Sequence, residues 1–238
     1  MRNSGIVIAI AAAFALPCAL DPHAAHAADI TSLQGADILY DQSGTPTSGA
    51  VSQNFETAHD SFDTAVADDF VVGDSAGWDV VQFDFQTGSG PGTDLGAVTF
   101  DVMVFDDAGG LPAATTACAY SNLPGTLTNS DTALSIALPS LCHLAPGTYW
   151  ISEVANLAWD DGIFIWSAGN PTPVIGLPGM VQNPGGGTGT SCTTWAPIVG
   201  CNGGNGSNNL LFQVRGTVSD NDLIFCSGFR GLDCDDSI

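Results

Sequence analysis

The chain contains no lysine and only three arginine residues, against 25 aspartate and glutamate residues, so its formal net charge is −22. Phosphate backbones and anionic membrane surfaces repel such a chain, which argues against nucleic acid as a partner and against binding to anionic lipid. Such an acidic surface is typical of a protein whose solubility depends on its charge. It also suits the attraction of divalent cations or the steering of cationic partners.

The sequence also lacks the short motifs of common catalytic sites. It contains no G-x-S-x-G nucleophile elbow, no HExxH zinc motif, no Walker loop and no dinucleotide fingerprint. Beyond the predicted signal peptide only His59 and His143 could serve as a base, and neither has a nearby serine in a strained turn. We therefore predict a protein that is not an enzyme. The alternative is a glycan-acting hydrolase that uses a pair of Asp or Glu carboxylates.

Long apolar runs are absent except at the N-terminus. Arg2 precedes an almost wholly apolar stretch from Gly5 to Leu16, and Ala25-His26-Ala27 offers a cleavage signal of the small-x-small type. This pattern predicts a secretory signal peptide over residues 1–27, with a lipoprotein acylated at Cys18 as the alternative. We expect an exported protein, secreted or at the cell surface, that does not insert into the membrane after cleavage.

Signal cleavage would leave six of the seven cysteines, and an even number in an exported chain indicates disulfide bonds. Metal binding would need CxxC-type spacing, which the sequence lacks. The six fall into three pairs that are close in sequence, each closing a loop of about 9 to 25 residues. The predicted pairs are Cys118–Cys142, Cys192–Cys201 and Cys226–Cys234.

Sustained helical periodicity is absent, and what the chain has instead is a series of short strand patterns. The clearest follows the turn at Pro146-Gly147, where Trp150 and Val154 fall on one face and Tyr149 and Ile151 on the other. A strand that is apolar on both faces belongs in the middle of a sheet with material packed on each side.

The remaining strand patterns alternate apolar and polar residues, as expected of antiparallel sheets with one wet face. Val81, Phe83 and Phe85 are expected to point inward on one strand, and Phe100 to Val104 supply the inward residues of another. The fold class predicted from these patterns is all-β, an antiparallel, jelly-roll-like β-sandwich of about ten strands stapled by disulfides. It would occupy residues 28–218, followed by an acidic tail over 219–238.

Seven short segments follow one another in a recognisable order: Ile38–Gln42, Asn54–Glu56, Ala67–Val72, Val104–Asp107 running into Gly109–Pro112, Ala145–Trp150, Cys192–Trp195 and Leu211–Thr217. Together they resemble a largely uncharacterised family of exported bacterial β-sandwich domains, over roughly residues 37–217. The resemblance implies a jelly-roll-like module of surface or secreted proteins. It brings no catalytic residues to this chain.

The segment Leu223–Phe229 is similar to the Ile-Phe-x-x-Gly-Phe-Glu tails of exported proteobacterial proteins. That resemblance implies a sorting or processing signal, although Arg230 stands where those tails have glutamate. The alternative is a tail tied by the Cys226–Cys234 disulfide.

Two kinds of candidate binding site emerge. Carboxylates beside glycines in turns suit a structural calcium ion, and the candidates are Asp106, Asp107, Asp160 and Asp161. Trp159 and Trp195 lie in loop contexts, where exposed indoles can serve as platforms for sugar rings. Trp150 and Trp166 lie within apolar strands and are expected in the core. His59 has acidic neighbours, but their spacing fits no known ligand motif.

The function predicted from the sequence is an exported, non-catalytic β-sandwich module for surface interaction or adhesion, with an extracellular glycan or a surface protein as its partner. Two alternatives remain: the glycan-acting hydrolase, and a purely structural envelope or matrix protein. No cofactor other than the calcium ion is expected.

Overall fold

The computed structural model describes residues 36–169, 176–201 and 209–219. Fifteen strands in these ranges form two mainly antiparallel sheets that pack face to face. The prediction of an all-β antiparallel sandwich is therefore confirmed. The strand count exceeds the predicted ten because several strands are only two or three residues long, too short to leave a pattern in the sequence.

The first sheet has eight strands: β1 Asp37–Asp41, β2 Pro46–Val51, β5 Trp78–Ser89, β8 Thr126–Thr128, β9 Ala133–Leu144, β11 Phe164–Gly169, β14 Asn209–Leu210 and β15 Phe212–Val218. The long β5 lies at its centre. It pairs with β9 along one edge, and with β15 and then β11 along the other.

The second sheet has seven strands: β3 Gln53–Asn54, β4 Ala65–Val72, β6 Thr99–Asp107, β7 Pro112–Pro124, β10 Gly147–Asn156, β12 Met180–Gln182 and β13 Ala196–Pro197. In it β10 lies between β4 and β6, and it also pairs with β3 in parallel at its C-terminal end. The strand that the sequence singled out is thus central, as predicted.

Helical structure in the described residues is limited to short turns. They are the 3₁₀ helices Thr57–Phe62 and Trp159–Asp161 and a helical turn, α1, at Ile198–Cys201. The first of these replaces the loop that the sequence indicated for this segment. No helix in the described ranges has the length and apolar character needed to cross a membrane.

The core between the sheets is dominated by aromatic side chains from both sheets. Phe100, Val102 and Val104 point inward as predicted and are completely buried. On β5 the prediction was wrong at one position, because the core takes Val80 in place of Val81. A register irregularity between Val80 and Gln82 shifts the alternation of this strand by one residue.

The outer face of the second sheet is also covered, by the glycine-rich segment 176–197. Trp150 and Ala67 are completely buried there and form a second apolar cluster with Phe105 and Met180. Tyr149 and Ile151, on the opposite face of β10, belong to the main core. The predicted division of this strand into two apolar faces is confirmed, and Trp166 lies in the main core as expected.

Two of the three predicted disulfide bonds are present. Cys118–Cys142 joins β7 of the second sheet to β9 of the first, and Cys192–Cys201 closes the segment that covers the second sheet. The predicted pair Cys226–Cys234 lies outside the described residues.

Candidate functional site

A groove of about 240 Å³ lies on the outer face of the second sheet. Its centre is a row of four residues, one from each of four neighbouring strands. Gln182 of β12 pairs with Ala65 of β4, and Val154 of β10 pairs with Asp101 of β6. The register between β4 and β10 places Ala65 beside Val154. Since neighbouring strands lie about 4.8 Å apart, the row spans about 14 Å. Two small apolar side chains thus form a floor between two polar ones.

Further along the same face, Met103 extends the floor, while Asn54, Asp63 and Pro184 add to the walls. The buried side-chain amide of Asn183 holds the Asp63 and Pro184 side of this wall in position. Asn183 donates from Nδ2 to the carbonyl oxygens of Ser61 and Asp63, at 2.8 and 2.7 Å. The loop after β12 is therefore tied to the C-terminal end of the first 3₁₀ helix and to the residue that follows it, and the groove between them has a defined width.

A chain of hydrogen bonds holds the polar rim in place. Asn54 Nδ2 donates to Asn156 Oδ1 at 2.8 Å, and Asn156 Nδ2 donates to Asp101 Oδ1 at 2.9 Å. The backbone N–H of Asn122 donates to the same Asp101 oxygen at 2.8 Å. Side chains that are already ordered lose little entropy when a ligand binds, so this rim is preorganised to exchange hydrogen bonds with hydroxyl groups.

Two carboxylates line the groove, Asp63 and Asp101. Partial burial raises the pKa of Asp63, and the negative charge of Asp60 acts in the same direction, while a hydrogen bond from the Phe55 backbone N–H opposes the rise. Neither residue belongs to the pairs that the sequence singled out. Their role depends on side chains brought together from β3, β6, β10 and β12, which no local motif reveals.

Trp159, one of the two predicted sugar platforms, lies beside this groove. Its ring packs at 5.3 Å from that of Phe55, the residue directly after Asn54. His59 stacks on it at 4.7 Å, and the Glu56 carboxylate accepts hydrogen bonds from both the Trp159 backbone N–H and His59 Nδ1. Trp159 remains 40% exposed, so it presents part of its ring to solvent at one end of the groove.

Trp195, the second predicted platform, lies toward the other end. It packs edge-to-face on Phe105 with ring centroids 6.0 Å apart, and Phe105 is two residues beyond Met103 of the groove floor on the same face of β6. The two predicted indoles are therefore not adjacent. They flank the groove along the direction of β6.

The aspartates proposed as calcium ligands lie at opposite ends of β6. Tyr149 pairs with Asp106, whereas Asn156, which precedes Asp160 and Asp161, pairs with Thr99. The two groups are therefore roughly 20 Å apart and cannot share one ion. Asp161 borders a hollow of about 120 Å³ together with Asp94. Among the described residues, no group of three or more His, Cys, Asp or Glu side chains is gathered as for a metal ion.

Asp107 has a structural use that the sequence did not suggest. Its Oδ1 accepts hydrogen bonds from the Trp150 indole N–H at 2.9 Å and from the Gly110 backbone N–H at 3.0 Å. Its Oδ2 accepts one from the Gly109 N–H at 3.1 Å. The carboxylate thus shapes the turn after β6 and fixes the orientation of Trp150.

This arrangement predicts the effect of Asp107→Ala. The variant should lose roughly 1–3 kcal/mol of stability, because a buried indole N–H and two turn N–H groups lose their acceptor. Thermal melting of the wild-type protein and the variant measures this loss of stability. The loss should be the same in the presence of calcium and in the presence of a chelator. A melting temperature of the wild-type protein that falls on chelation, with no such fall in the variant, would instead assign a calcium ion to this turn.

The structure also brings a serine side chain close to His143. Ser219 Oγ lies 3.2 Å from His143 Nδ1, and Asp79 Oδ1 lies 2.8 Å from the same nitrogen. In a catalytic triad the carboxylate and the serine contact different ring nitrogens: the carboxylate orients the ring through one nitrogen, and the other nitrogen takes the serine proton. Here both partners contact Nδ1, which is not a triad geometry.

Two acidic side chains that look like surface residues in the sequence are in fact inside the sandwich. Asp68 is completely buried, and its carboxylate accepts hydrogen bonds from the Leu210 N–H and from Gln42 Nε2. Glu153 is also completely buried, on the same face of β10 as Ile151, and neither of its carboxylate oxygens has a hydrogen-bond partner among the described residues. Burial raises the pKa of each carboxyl group well above its ordinary value.

Comparison of the chain with protein-family models, with curated protein sequences and with solved structures gave no match.

Proposed function

We propose that the chain is an exported, non-catalytic β-sandwich module for surface interaction or adhesion, and that it binds an extracellular glycan in the groove of the second sheet. One observation carries the proposal: a row of residues about 14 Å long sets the apolar side chains of Ala65 and Val154 between a polar residue at each end, Gln182 and Asp101. Sugar rings offer the complementary surface, with C–H groups on their faces and hydroxyl groups around their edges. The indoles of Trp159 and Trp195, which flank this row along the direction of β6, support the same chemistry.

The charge of the groove narrows the class of glycan. Asp63 and Asp101 line the groove, and the whole chain has a net charge of −22. Uronic acids, sulfated sugars and other anionic residues would be repelled. We therefore expect a neutral or amino-sugar polysaccharide.

The test is binding to a panel of neutral, amino-sugar and anionic polysaccharides. Gln182→Ala should weaken binding to the preferred glycan about fivefold to tenfold, because it removes one hydrogen-bonding group from the end of the floor. The matched control is Gln82→Ala, which changes a partly buried glutamine on the outer face of the other sheet and should leave affinity unchanged. Absence of binding to the whole panel, or equal losses in the two variants, would refute the proposal.

A second function has one observation in its favour. The raised pKa of Asp63, in a groove that also holds Asp101, is what a general acid opposite a second carboxylate would need. The same panel distinguishes the two functions. A hydrolase would release products from its preferred glycan and would stop doing so in Asp63→Asn, whereas a binding module releases none.

A further inference from the structure

The chain leaves the described structure at one end of the sandwich, which we call the exit end. β4 and β15 end there, and β5 begins there. The last described residue, Ser219, donates its backbone N–H to the Gly77 carbonyl oxygen at 3.0 Å, and Gly77 lies in the turn 73–77 that joins β4 to β5. The turns 108–111 and 145–146 lie at the same end, because β10 runs antiparallel to both β4 and β6.

Exposed apolar side chains are concentrated at the exit end. Among the described residues, seven large hydrophobic side chains are exposed, and of these Trp159 lies at the opposite end, beyond the C-terminal end of β10. The other six lie in or beside the strand ends and turns of the exit end: Ile38, Val71, Leu111, Leu141, Leu177 and Val218. Single exposed apolar residues are common on protein surfaces, but a cluster of them indicates a contact surface.

Three of these residues, Val71, Leu111 and Leu177, form what we call the exit patch. Val71 points outward from the second sheet, because its neighbours on either side in β4 belong to the main core. The Leu177 N–H donates to Asp69 Oδ1 at 2.7 Å, and Asp69 is two residues before Val71 on the same face of β4. A Cβ at Gly110 would lie only 3.3 Å from Leu177 Cδ1, and Leu111 follows Gly110. The patch therefore extends from β4 across β10 to the turn after β6.

The carboxylates beside the exit patch already have hydrogen-bond donors. Asp69 accepts a hydrogen bond from the Leu177 N–H, and Asp107 accepts them from the Trp150 indole and from two backbone N–H groups of its own turn. The surface between these two carboxylates is apolar. It therefore suits an apolar partner that brings no charge of its own.

We propose that the exit patch is covered by the C-terminal tail of the same chain, through the segment Leu223–Phe229. An extended chain spans at most about 3.5 Å per residue, so Leu223 can lie up to about 14 Å from Ser219, and Phe229 up to about 35 Å. Packed sheets are about 10 Å apart, which puts the outer face of the second sheet at the exit end within this reach. A tethered segment has an effective concentration on the order of millimolar, so the contacts of a few side chains are sufficient to hold it.

The composition of Leu223–Phe229 distinguishes it from the other segments outside the described ranges. It contains one leucine, one isoleucine and two phenylalanines, and it has no charged residue. Residues 202–208 have no large apolar side chain, and residues 170–175 and 28–35 have two each. The apolar residues 1–27 are removed by the predicted signal cleavage. A second copy of the chain has no tether, and its net charge of −22 opposes its approach.

Hydrogen–deuterium exchange of the full chain, followed by mass spectrometry, tests this docking. The amides of Leu223–Phe229 should exchange at least about tenfold more slowly than those of an unfolded peptide of the same sequence. A variant that combines Val71→Ser and Leu177→Ser should lose this protection, because the exit patch loses two apolar side chains. Trp159→Ser is the matched control: Trp159 and Leu177 are both 40% exposed, but Trp159 lies at the opposite end, so the tail should stay protected. Slow exchange in β5 and β10 would show that each variant is folded.

Phe225→Ser tests the same contact from the side of the tail. It removes the central aromatic ring of Leu223–Phe229 and changes no residue of the sandwich, so it should also speed exchange in the rest of that segment. The glycan groove lies toward the other end of β10, at Val154, so a failure of the docking would leave the proposed function unaffected.

Four results would overturn the docking. One is exchange of Leu223–Phe229 at the unfolded rate in the wild-type protein. Another is protection that survives the change of both Val71 and Leu177, because the tail would then be ordered by its own predicted disulfide or by another surface. Protection that rises with protein concentration would assign the exit patch to the tail of a second copy. Protection of residues 170–175 or 28–35 that is lost in the double variant, with the tail unaffected, would assign the patch to those residues.

Discussion

Replacing Trp150 by alanine should lower the free energy of unfolding by roughly 3–5 kcal/mol, the range for removing a large aromatic side chain from a packed interior. Trp150 is completely buried, although it lies outside the core between the sheets. It holds the covering segment through Met180 and the turn after β6 through Asp107. The variant therefore loses contacts to two separate parts of the chain at once.

Equilibrium unfolding in urea measures this loss, and Trp159→Ala is the control. Trp159 is 40% exposed, so its removal deletes less buried surface and should cost clearly less. The covering segment also carries Gln182 at the edge of the groove. Trp150→Ala should therefore weaken ligand binding as well as stability. A loss below 1 kcal/mol would mean that the covering segment does not depend on this residue.

Glu153→Met should stabilise the protein at neutral pH by roughly 1–3 kcal/mol, the cost of a buried polar group without hydrogen bonds. Glu153 has Val66 and Val102 as its neighbours on the adjacent strands, and within the part of the chain that the structure describes neither carboxylate oxygen has a hydrogen-bond partner. The methionine side chain is similar in shape to that of glutamate and has no carboxyl group to bury. Few substitutions of a completely buried residue are expected to raise stability, which makes this one informative.

The pH dependence of the same variant gives a second result. Because burial raises the pKa of Glu153 well above 4.5, the native state keeps a proton that the unfolded chain releases. The stability that this proton provides is complete below about pH 4.5 and is lost as the pH rises toward the raised pKa. The wild-type protein should therefore lose stability over that interval, and Glu153→Met should lose less. Burial also raises the pKa values of Asp68 and Asp69, so these two groups likewise lower the stability as the pH rises. Both remain in the variant, which therefore keeps part of the pH dependence.

Asp68 provides the contrast that tests the physical reason. Unlike Glu153, its carboxyl group accepts hydrogen bonds from the Leu210 N–H and Gln42 Nε2. Asp68→Leu should therefore destabilise the protein, because two buried donors would lose their acceptor. If Glu153→Met were destabilising too, the Glu153 carboxyl group would have a partner, such as a buried water molecule.

The sequence predicted those parts of the fold that depend on a single local pattern of residues. The Pro146-Gly147 turn and the two apolar faces of the following strand led to a central position in a covered sheet. Cys118–Cys142 and Cys192–Cys201 were the nearest partners along the chain, and both bonds are present. The prediction of inward and outward residues from their alternation failed only on β5, where the register is irregular. A bulge there changes which face the side chains on its two sides point to, so the inward positions before and after it do not follow one alternation.

The candidate site was less accessible, because it depends on contacts between distant segments. His59 stacks on Trp159, and Asn54 bonds to Asn156, each across about one hundred residues of sequence. The buried acids were missed for a related reason. Asp68 resembles a surface residue until Leu210, far along the chain, supplies a hydrogen-bond donor. For Glu153 even that explanation is lacking, and its burial has no signal in the sequence.

The most direct test of the glycan proposal is a titration of the isotope-labelled protein with a glycan that binds on the panel, followed by amide and indole NMR signals. Shifts should concentrate on the groove and its Trp159 end and should leave the outer face of the first sheet unchanged. The signals expected to move are those of Asn54, Asp101, Val154, Gln182 and the Trp159 indole. Shifts confined to the hollow around Asp84 and Gln213 on the first sheet, with the groove signals unmoved, would contradict the assignment of the groove as the binding site.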